Sequence, residues 1–211
     1  MDPKAEIERL RRQLDQALND AVTRENELQR YQQQLESANA KLRELATTDP
    51  LTGVANRRVF EARLATDFAH ARRYGRSMAV MILDMDNFKQ RNDRFGHDEG
   101  DATLKRFGAL LVRGLRDTDL VVRYGGEEFV LLLPETNESQ AMLLSDRIMA
   151  MVRGYEWGRE QVTVSGGVAD LQPSIARPHD LVTRADKALY AAKRAGKDRI
   201  VSWTGMAKAQ L

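Results

Sequence analysis

Apolar residues recur every seven positions along the first stretch of the chain, at Ile7, Leu14, Ala21, Leu28, Leu35 and Leu42. A period of seven held this long predicts a left-handed coiled coil, because a lone amphipathic helix drifts off that repeat. Between Pro3 and Thr48 there is no Gly and no further Pro, and Leu, Ala, Glu, Gln, Arg and Asn dominate, a composition that favours one long helix. The partner column can be drawn in two ways. One frame takes Leu10, Ala17, Arg24, Tyr31, Ala38 and Leu45, apolar or aromatic except at Arg24; the other takes Arg11, Leu18, Glu25, Gln32, Asn39 and Ala46, mostly polar. The first frame makes the better seam. Small Ala21 and Ala17 and the charge of Arg24 keep it weak enough for the stalk to be either a plain dimerisation helix or a signalling stalk with two registers.

After Thr48 the period changes. Asp49-Pro50-Leu51-Thr52-Gly53 closes off the helix. Asn56 is a candidate cap for a helix with Val59, Phe60, Leu64, Phe68 and Ala71 on its apolar face, ending near Gly75. Met78 to Leu83 is continuously apolar, as in a strand covered on both faces. A short helix is expected from Asn87 to Phe95 and a longer one from Asp98 to Leu115. Leu120–Tyr124 and Phe129–Leu133 flank Gly125-Gly126 and read as a tight hairpin. A helix over Ser139–Val152, a strand over Val162–Ser165, a helix over Pro178–Ala195 and a strand over Arg199–Val201 follow. The tail from Thr204 to Leu211 carries no pattern. Alternation of helices and strands with an obligatory hairpin predicts an α+β fold with a mixed, largely antiparallel sheet flanked by helices. The expected domains are 1–48 (stalk), 49–203 (catalytic) and 204–211 (tail).

Composition narrows the function. Lys and Arg total 33 against 31 Asp and Glu in 211 residues, which argues against an electrostatic nucleic-acid binder. The absence of Cys excludes a disulfide scaffold, a thiolate metal site and a cysteine nucleophile. No apolar run approaches the roughly 20 residues of a membrane span, and the first residues lack a signal-peptide core, so a soluble, cytoplasmic protein is expected. The eight Met are expected to fill core gaps.

The candidate chemistry is acidic. Asp84 and Asp86 follow the buried run, and Glu127 and Glu128 follow the glycine pair. Carboxylates at a strand end and on a neighbouring hairpin can converge on one sheet face, where a divalent cation relieves their repulsion. Oxygen donors suit Mg²⁺ or Mn²⁺, and two such ions about 4 Å apart serve phosphoryl transfer. A solvated acidic turn is the plainer alternative. Gly125 and Gly126 either meet the hairpin's need for positive φ or leave room for a base or ribose against the turn. Lys89, Lys193 and Lys197 are candidate phosphate ligands, though each alone reads as surface.

Arg123-Tyr124-Gly125-Gly126-Glu127-Glu128-Phe129 resembles the signature of the GGDEF domain of diguanylate cyclases. The resemblance extends from about Asp49 to Trp203. It includes Asp49-Pro50-Leu51-Thr52-Gly53-Val54-Ala55-Asn56-Arg57-Arg58, the stretches Asp84–Asp93 and Phe95–Asp101, and Ala185-Asp186-Lys187-Ala188-Leu189-Tyr190-Ala191-Ala192-Lys193, in the family's order.

The resemblance implies condensation of two GTP into cyclic di-GMP, with release of two pyrophosphates, across a homodimer held by a parallel coiled coil. By position, Asp84, the Met85 carbonyl and Glu127 would bind two Mg²⁺ or Mn²⁺ ions per site. Glu127 or Glu128 would help to deprotonate the attacking hydroxyl. Asn92 and Asp101 would read guanine. Lys89, Lys193, Lys197 and the backbone amides near Asn87 and Phe88 would hold the phosphates, with Gly125 and Gly126 beside the nucleotide.

The family's inhibitory Arg-x-x-Asp appears as Arg116-Asp117-Thr118-Asp119, and Arg147 matches a secondary contact, so product inhibition by cyclic di-GMP is expected; Leu143 stands where some members have Arg. Gly166 replaces a usual β-branched residue and is expected to loosen its strand, while Lys197 and Asp198 replace the usual Arg and Asn. His97 and His179 read as structural. A non-catalytic cyclic di-GMP receptor and a plain oligomerisation module are the alternatives, and a sensory domain upstream of this chain is expected as a partner.

Overall fold

A computed structural model of the chain describes residues 16, 24, 25, 27, 29–36 and 46–209. The chain divides into two compact units, Met1–Leu45 and Ala46–Leu211. In the first, the described residues are helical, and Tyr31 and Leu35, one turn apart, are 67% and 64% exposed. Two large apolar side chains on one helical face leave a surface suited to a partner helix. Ile7, Leu10, Leu14, Ala17, Leu18, Ala21, Leu28, Ala38, Asn39, Leu42 and Leu45 lie outside the described residues, so the seven-residue columns are tested only in part.

The second unit runs β1 (Ala55–Asn56), α1 (Arg57–Tyr74), β2 (Met78–Met85), α2 (Phe88–Phe95), α3 (His97–Gly114), β3 (Leu120–Gly125), β4 (Glu128–Pro134), α4 (Glu138–Arg153), β5 (Val164–Asp170), α5 (Pro178–Arg194), β6 (Ile200–Ser202) and α6 (Trp203–Ala209). The strand order is β1-β3-β4-β2-β5-β6. β2 is antiparallel to both β4 and β5, and the short edge strands β1 and β6 pair in parallel with β3 and β5. The expected mixed, largely antiparallel sheet is therefore present.

All eight residues of β2 are buried because helices cover both faces of the sheet. Ala79, Met81, Leu83 and Met85 point into a core shared with Leu104, Phe107 and Leu111 of α3 and Ile148 and Val152 of α4. Met78, Val80 and Ile82 point into a second core with Phe60, Leu64 and Phe68 of α1 and Leu181, Ala185 and Leu189 of α5. The period-2 alternation of a strand thus splits one apolar run between two cores. Met78, Met81, Met85 and Met149 are buried, in keeping with gap-filling.

Asn56 caps α1 as expected, its side chain accepting from the Val59 N–H, and Gly75 ends the helix at φ 64°. Other boundaries differ from expectation. β5 starts at Val164 and runs to Asp170, because Gly166 and Gly167 are strand residues paired on both sides and not a turn. A Cβ on Gly166 would lie 2.7 Å from the Leu83 side chain and 2.9 Å from that of Ile200. Glycine here lets neighbours close in, so the strand is not loosened. The patternless tail contains α6, whose Trp203 packs against the second core. Among the described residues no helix is long and apolar enough to cross a membrane.

Candidate active site

The site forms at one end of β2. There Asp84 is paired directly with Glu128 of β4 on one side and with Ser165 of β5 on the other. The Gly126-Glu127 turn follows β3, with Gly126 alone in the pair at positive φ (48°). Gly125 does not need that conformation, and a Cβ on either glycine would meet nothing within 4 Å. Open space at the turn is what a base or ribose would use.

Asp84, Met85, Asp86, Asn87, Phe88, Lys89, Glu127, Lys193 and Lys197 line a cleft of about 270 Å³. Lys193 Nζ lies 2.8 Å from Asp84 Oδ2. Burial pushes the Asp84 carboxyl up, and Glu127 and Asp86 add to the rise, against the opposing pull of Lys193. Burial also raises Glu128, seconded by the negative charge of Asp84. Two carboxyls driven upward by desolvation and mutual repulsion form a site that gains from added positive charge. Asp84 and Glu127 supply hard oxygen donors, and the ammonium on Asp84 shows that the position accepts a cation, so the donor set fits Mg²⁺ or Mn²⁺ held partly by phosphate oxygens.

Asp86 lines the same cleft, but its carboxylate is engaged by neighbouring hydroxyls. Its Oδ1 accepts from the Ser165 hydroxyl at 2.7 Å and its Oδ2 from the Thr163 hydroxyl at 2.9 Å. The hydroxyls of β5 and the segment before it satisfy this carboxylate, an arrangement unreadable before β5 is placed beside β2.

Asn92, on α2, has its Oδ1 buried without a hydrogen-bond partner. Asp101 lies on α3 just beyond Gly100, where a Cβ would fall 1.8 Å from that same oxygen. The glycine brings the two helices together and leaves an acceptor waiting for a donor. Asn92 and Asp101 thus lie on two adjoining helices.

Away from the cleft, Arg116, Asp119 and Arg147 line one pocket of about 170 Å³ with Leu143 at its rim. Asp119 Oδ2 accepts from the Arg116 N–H at 3.0 Å, and the Arg147 guanidinium donates to the Gly114 carbonyl. The three expected product-site residues are thus brought together.

Sequence reasoning missed a brace on the hairpin. Arg123 Nη1 lies 3.1 Å from Asp49 Oδ1, and its Nε donates to the Gly126 carbonyl at 2.9 Å. Burial would raise the Asp49 carboxyl, yet hydrogen bonds from Thr52 and Arg123 outweigh it and hold the group below its ordinary value. Both residues stood inside quoted motifs, but their 74-residue separation hid the pairing. His179, read as structural, lies 3.2 Å from Glu61, which also accepts from the Tyr124 hydroxyl.

The family model described as diguanylate cyclase, GGDEF domain, matches residues 46–199. The response regulator PleD of Caulobacter vibrioides is 37% identical over 192 residues, 88% of this chain and 42% of PleD. The diguanylate cyclase DgcP of Pseudomonas aeruginosa is 40% identical over 162 residues, 75% of this chain and 24% of DgcP. The chain thus spans less than half the length of these curated relatives. Among solved structures, the coiled coil and GGDEF domain of DgcB from Caulobacter crescentus, in complex with c-di-GMP, aligns with TM-score 0.74 at 31% identity, covering 90% of this chain and 98% of that one. By sequence, by fold and by the assembly of the acidic hairpin against the end of β2, the chain belongs to the GGDEF-domain family of diguanylate cyclases.

Proposed function

We propose that this chain condenses two GTP into cyclic di-GMP and two pyrophosphates, drawing on the cytoplasmic GTP pool, with each copy of a homodimer supplying one nucleotide. The observation that carries the reading is the cleft in which Asp84 and Glu127 converge with Lys193 and Lys197 beside them, with Glu128 the strand partner of Asp84. Asp84, the Met85 carbonyl and Glu127 are suited to hold Mg²⁺ or Mn²⁺, which would neutralise phosphate charge and acidify the attacking hydroxyl when bound. Lys89, Lys193 and Lys197 bind the triphosphate as point charges, while Asn92 and Asp101 select guanine. The 3′-oxygen of one GTP attacks the α-phosphorus of the other, the bond to the bridging oxygen of the β-phosphate breaks, and pyrophosphate leaves. The hydroxyl proton passes to Glu127 or Glu128; the raised affinity of Glu128 for protons suits it to accept one. The same exchange repeated in the opposite direction closes the ring.

The reaction needs two loaded sites face to face, so a parallel pairing of stalks through the Tyr31 and Leu35 face contributes effective concentration and orientation. In this reading the stalk's register tunes output, and an upstream sensory domain would set it. Product held at Arg116, Asp119 and Arg147 inhibits further turnover.

The test is incubation with GTP and Mg²⁺ over a range of protein concentrations, with nucleotides resolved by chromatography. Cyclic di-GMP and pyrophosphate should appear at a rate that rises more steeply than protein concentration until dimers saturate, and Glu127→Gln should abolish it with the dimer intact. A chain that binds cyclic di-GMP but yields none from GTP would instead be a receptor.

A further inference from the structure

Three of the four non-glycine residues at positive φ among the described residues meet beside one carboxylate. Asn87 (φ 58°) follows Asp86 directly, and Lys197 (64°) and Asp198 (46°) follow Gly196 (106°) in the turn between α5 and β6. Side chains with a Cβ adopt this conformation only when their surroundings hold them in it, and such residues gather at functional sites. The holding groups can be named. The Asp198 N–H donates to Asp86 Oδ2 at 3.1 Å, the same oxygen that takes the Thr163 hydroxyl. Arg153, on α4, donates to the Asp198 carbonyl at 3.0 Å and lies 3.1 Å from its carboxylate. The Lys197 N–H returns to the Ala192 carbonyl at 3.1 Å. Held this way, the turn delivers Lys197 Nζ to Asn87 Oδ1 at 2.5 Å, on the wall of the cleft that contains Asp84 and Glu127.

Asp86 lines the cleft, and both of its oxygens already accept hydrogen bonds. Its acceptors go to Ser165, Thr163 and the strained turn, each on a different segment from β2. We infer that Asp86 is a positioning residue for phosphate recognition: it locks the strained turn so that Lys197 presents its ammonium to the nucleotide triphosphate, and its effect on phosphate binding runs through Lys197. The inference rests on the reading that the cleft takes GTP. Lysine at this position makes the lock more consequential than a guanidinium would, since one flexible point charge gains its direction only from the backbone that carries it.

Binding of guanosine 5′-(α,β-methylene)triphosphate and of GMP, each with Mg²⁺, is measured by calorimetry for the full chain and for Asp86→Ala, Lys197→Ala and the double variant. Asp86→Ala should weaken the triphosphate by about tenfold, the scale of one charge-assisted contact, and leave GMP within about twofold. The double variant should bind no more weakly than Lys197→Ala, because residues acting through one another do not add. Equal losses for the two ligands, or losses that multiply in the double variant, would overturn the inference and leave Asp86 with a purely structural role. Should Asp86→Ala fail to melt cooperatively, Thr163→Val with Ser165→Ala removes two of the carboxylate's donors more gently. The same triphosphate-selective loss, absent in a Lys197→Ala background, is then expected, and a loss shared by GMP again overturns the inference. If the coupled pattern appears in a chain that makes no cyclic product, the cyclase reading fails while the positioning role stands.

Discussion

Replacing Gly100 by Ala separates what this fold needs from what its nucleotide site needs. The new methyl group would sit 1.8 Å from Asn92 Oδ1, 2.9 Å from Asn92 Cγ and 3.2 Å from Phe88 Cζ, so the Asn92 amide must turn away. That oxygen has no protein partner, so its rotation breaks no hydrogen bond of the free protein. An off-rotamer side chain costs about 0.5–1.5 kcal/mol. Against it stands the gain of about 1 kcal/mol when Ala replaces Gly inside a helix, here α3. The two nearly cancel, and the melting temperature should move by no more than about 3 °C. With Asn92 reading guanine as proposed, the nucleotide site has no such compensation, because the amide's hydrogen bonds to the base, about 1–3 kcal/mol together, lose their geometry. Affinity for the α,β-methylene analogue of GTP should fall about tenfold to a hundredfold, and the preference over the adenine counterpart should collapse. Calorimetric titration beside thermal melting reads both quantities. Affinity retained within about twofold would refute the role given to Asn92. A melting point lowered by about 10 °C or more would show that Gly100 serves packing alone.

Three further expectations follow from other parts of the domain. Asp49→Asn should cost roughly 1–3 kcal/mol at neutral pH, since Arg123 loses a largely buried partner. Because the folded carboxyl titrates below its ordinary value, its contribution is present above the unfolded value of about 3.8 and disappears as pH falls through the folded value. Acid unfolding of the Asn variant should therefore show a weaker pH dependence than the parent in that window. Lys193→Met should strengthen binding of Mn²⁺ alone, followed by electron paramagnetic resonance, by freeing Asp84 from its ammonium, and should weaken the GTP analogue; weaker Mn²⁺ binding would contradict the stand-in role. Gly167→Ala should lose more than about 3 kcal/mol or fail to fold, because its Cβ would lie 2.0 Å from the Ala185 carbonyl oxygen and 2.2 Å from the Leu189 nitrogen, backbone atoms of α5 that cannot swing aside. An unchanged urea midpoint would refute that close approach.

The residues legible in the sequence were those whose neighbours in the chain define them. The apolar run Met78–Leu83 announced a strand covered on both sides, and Asn56 and Gly75 announced the ends of α1, because periodicity and caps are local. The strand expected over Val162–Ser165 lies at Val164–Asp170, since glycine carries little strand signal of its own until Leu83, Ile200 and the backbone of α5 are known to crowd Gly166 and Gly167. Asp84 and Asp86 look alike in sequence, and strand alternation alone would send both to one face, but β2 ends at Met85 and Asp86 lies just beyond it. Asp84 faces Glu128 and Lys193, whereas Asp86 meets the hydroxyls of Ser165 and Thr163. The hidden parts of the site are those made of long-range pairs, Asp49 with Arg123 and Asp86 with the Asp198 N–H.

Those long-range pairs hold the acidic hairpin and the Lys197 turn. The Asp49 carboxylate reaches Arg123 from the turn that begins the domain, and Arg123 in turn grips the Gly126 carbonyl in the acidic hairpin. Asp86 reaches across β5 to the turn that carries Lys197. A change at the Asp49 turn would therefore act on the hairpin acids, and a change at Asp86 on the turn that carries Lys197, with Asp84 between them on the buried β2. Since charge at the cleft is balanced only when acids, ammonium groups and nucleotide meet there, displacing either side by a fraction of the cleft's width would unbalance it without disturbing the core. The buried strand supplies the reference point, and the proposed cyclase could be controlled through the braced turns.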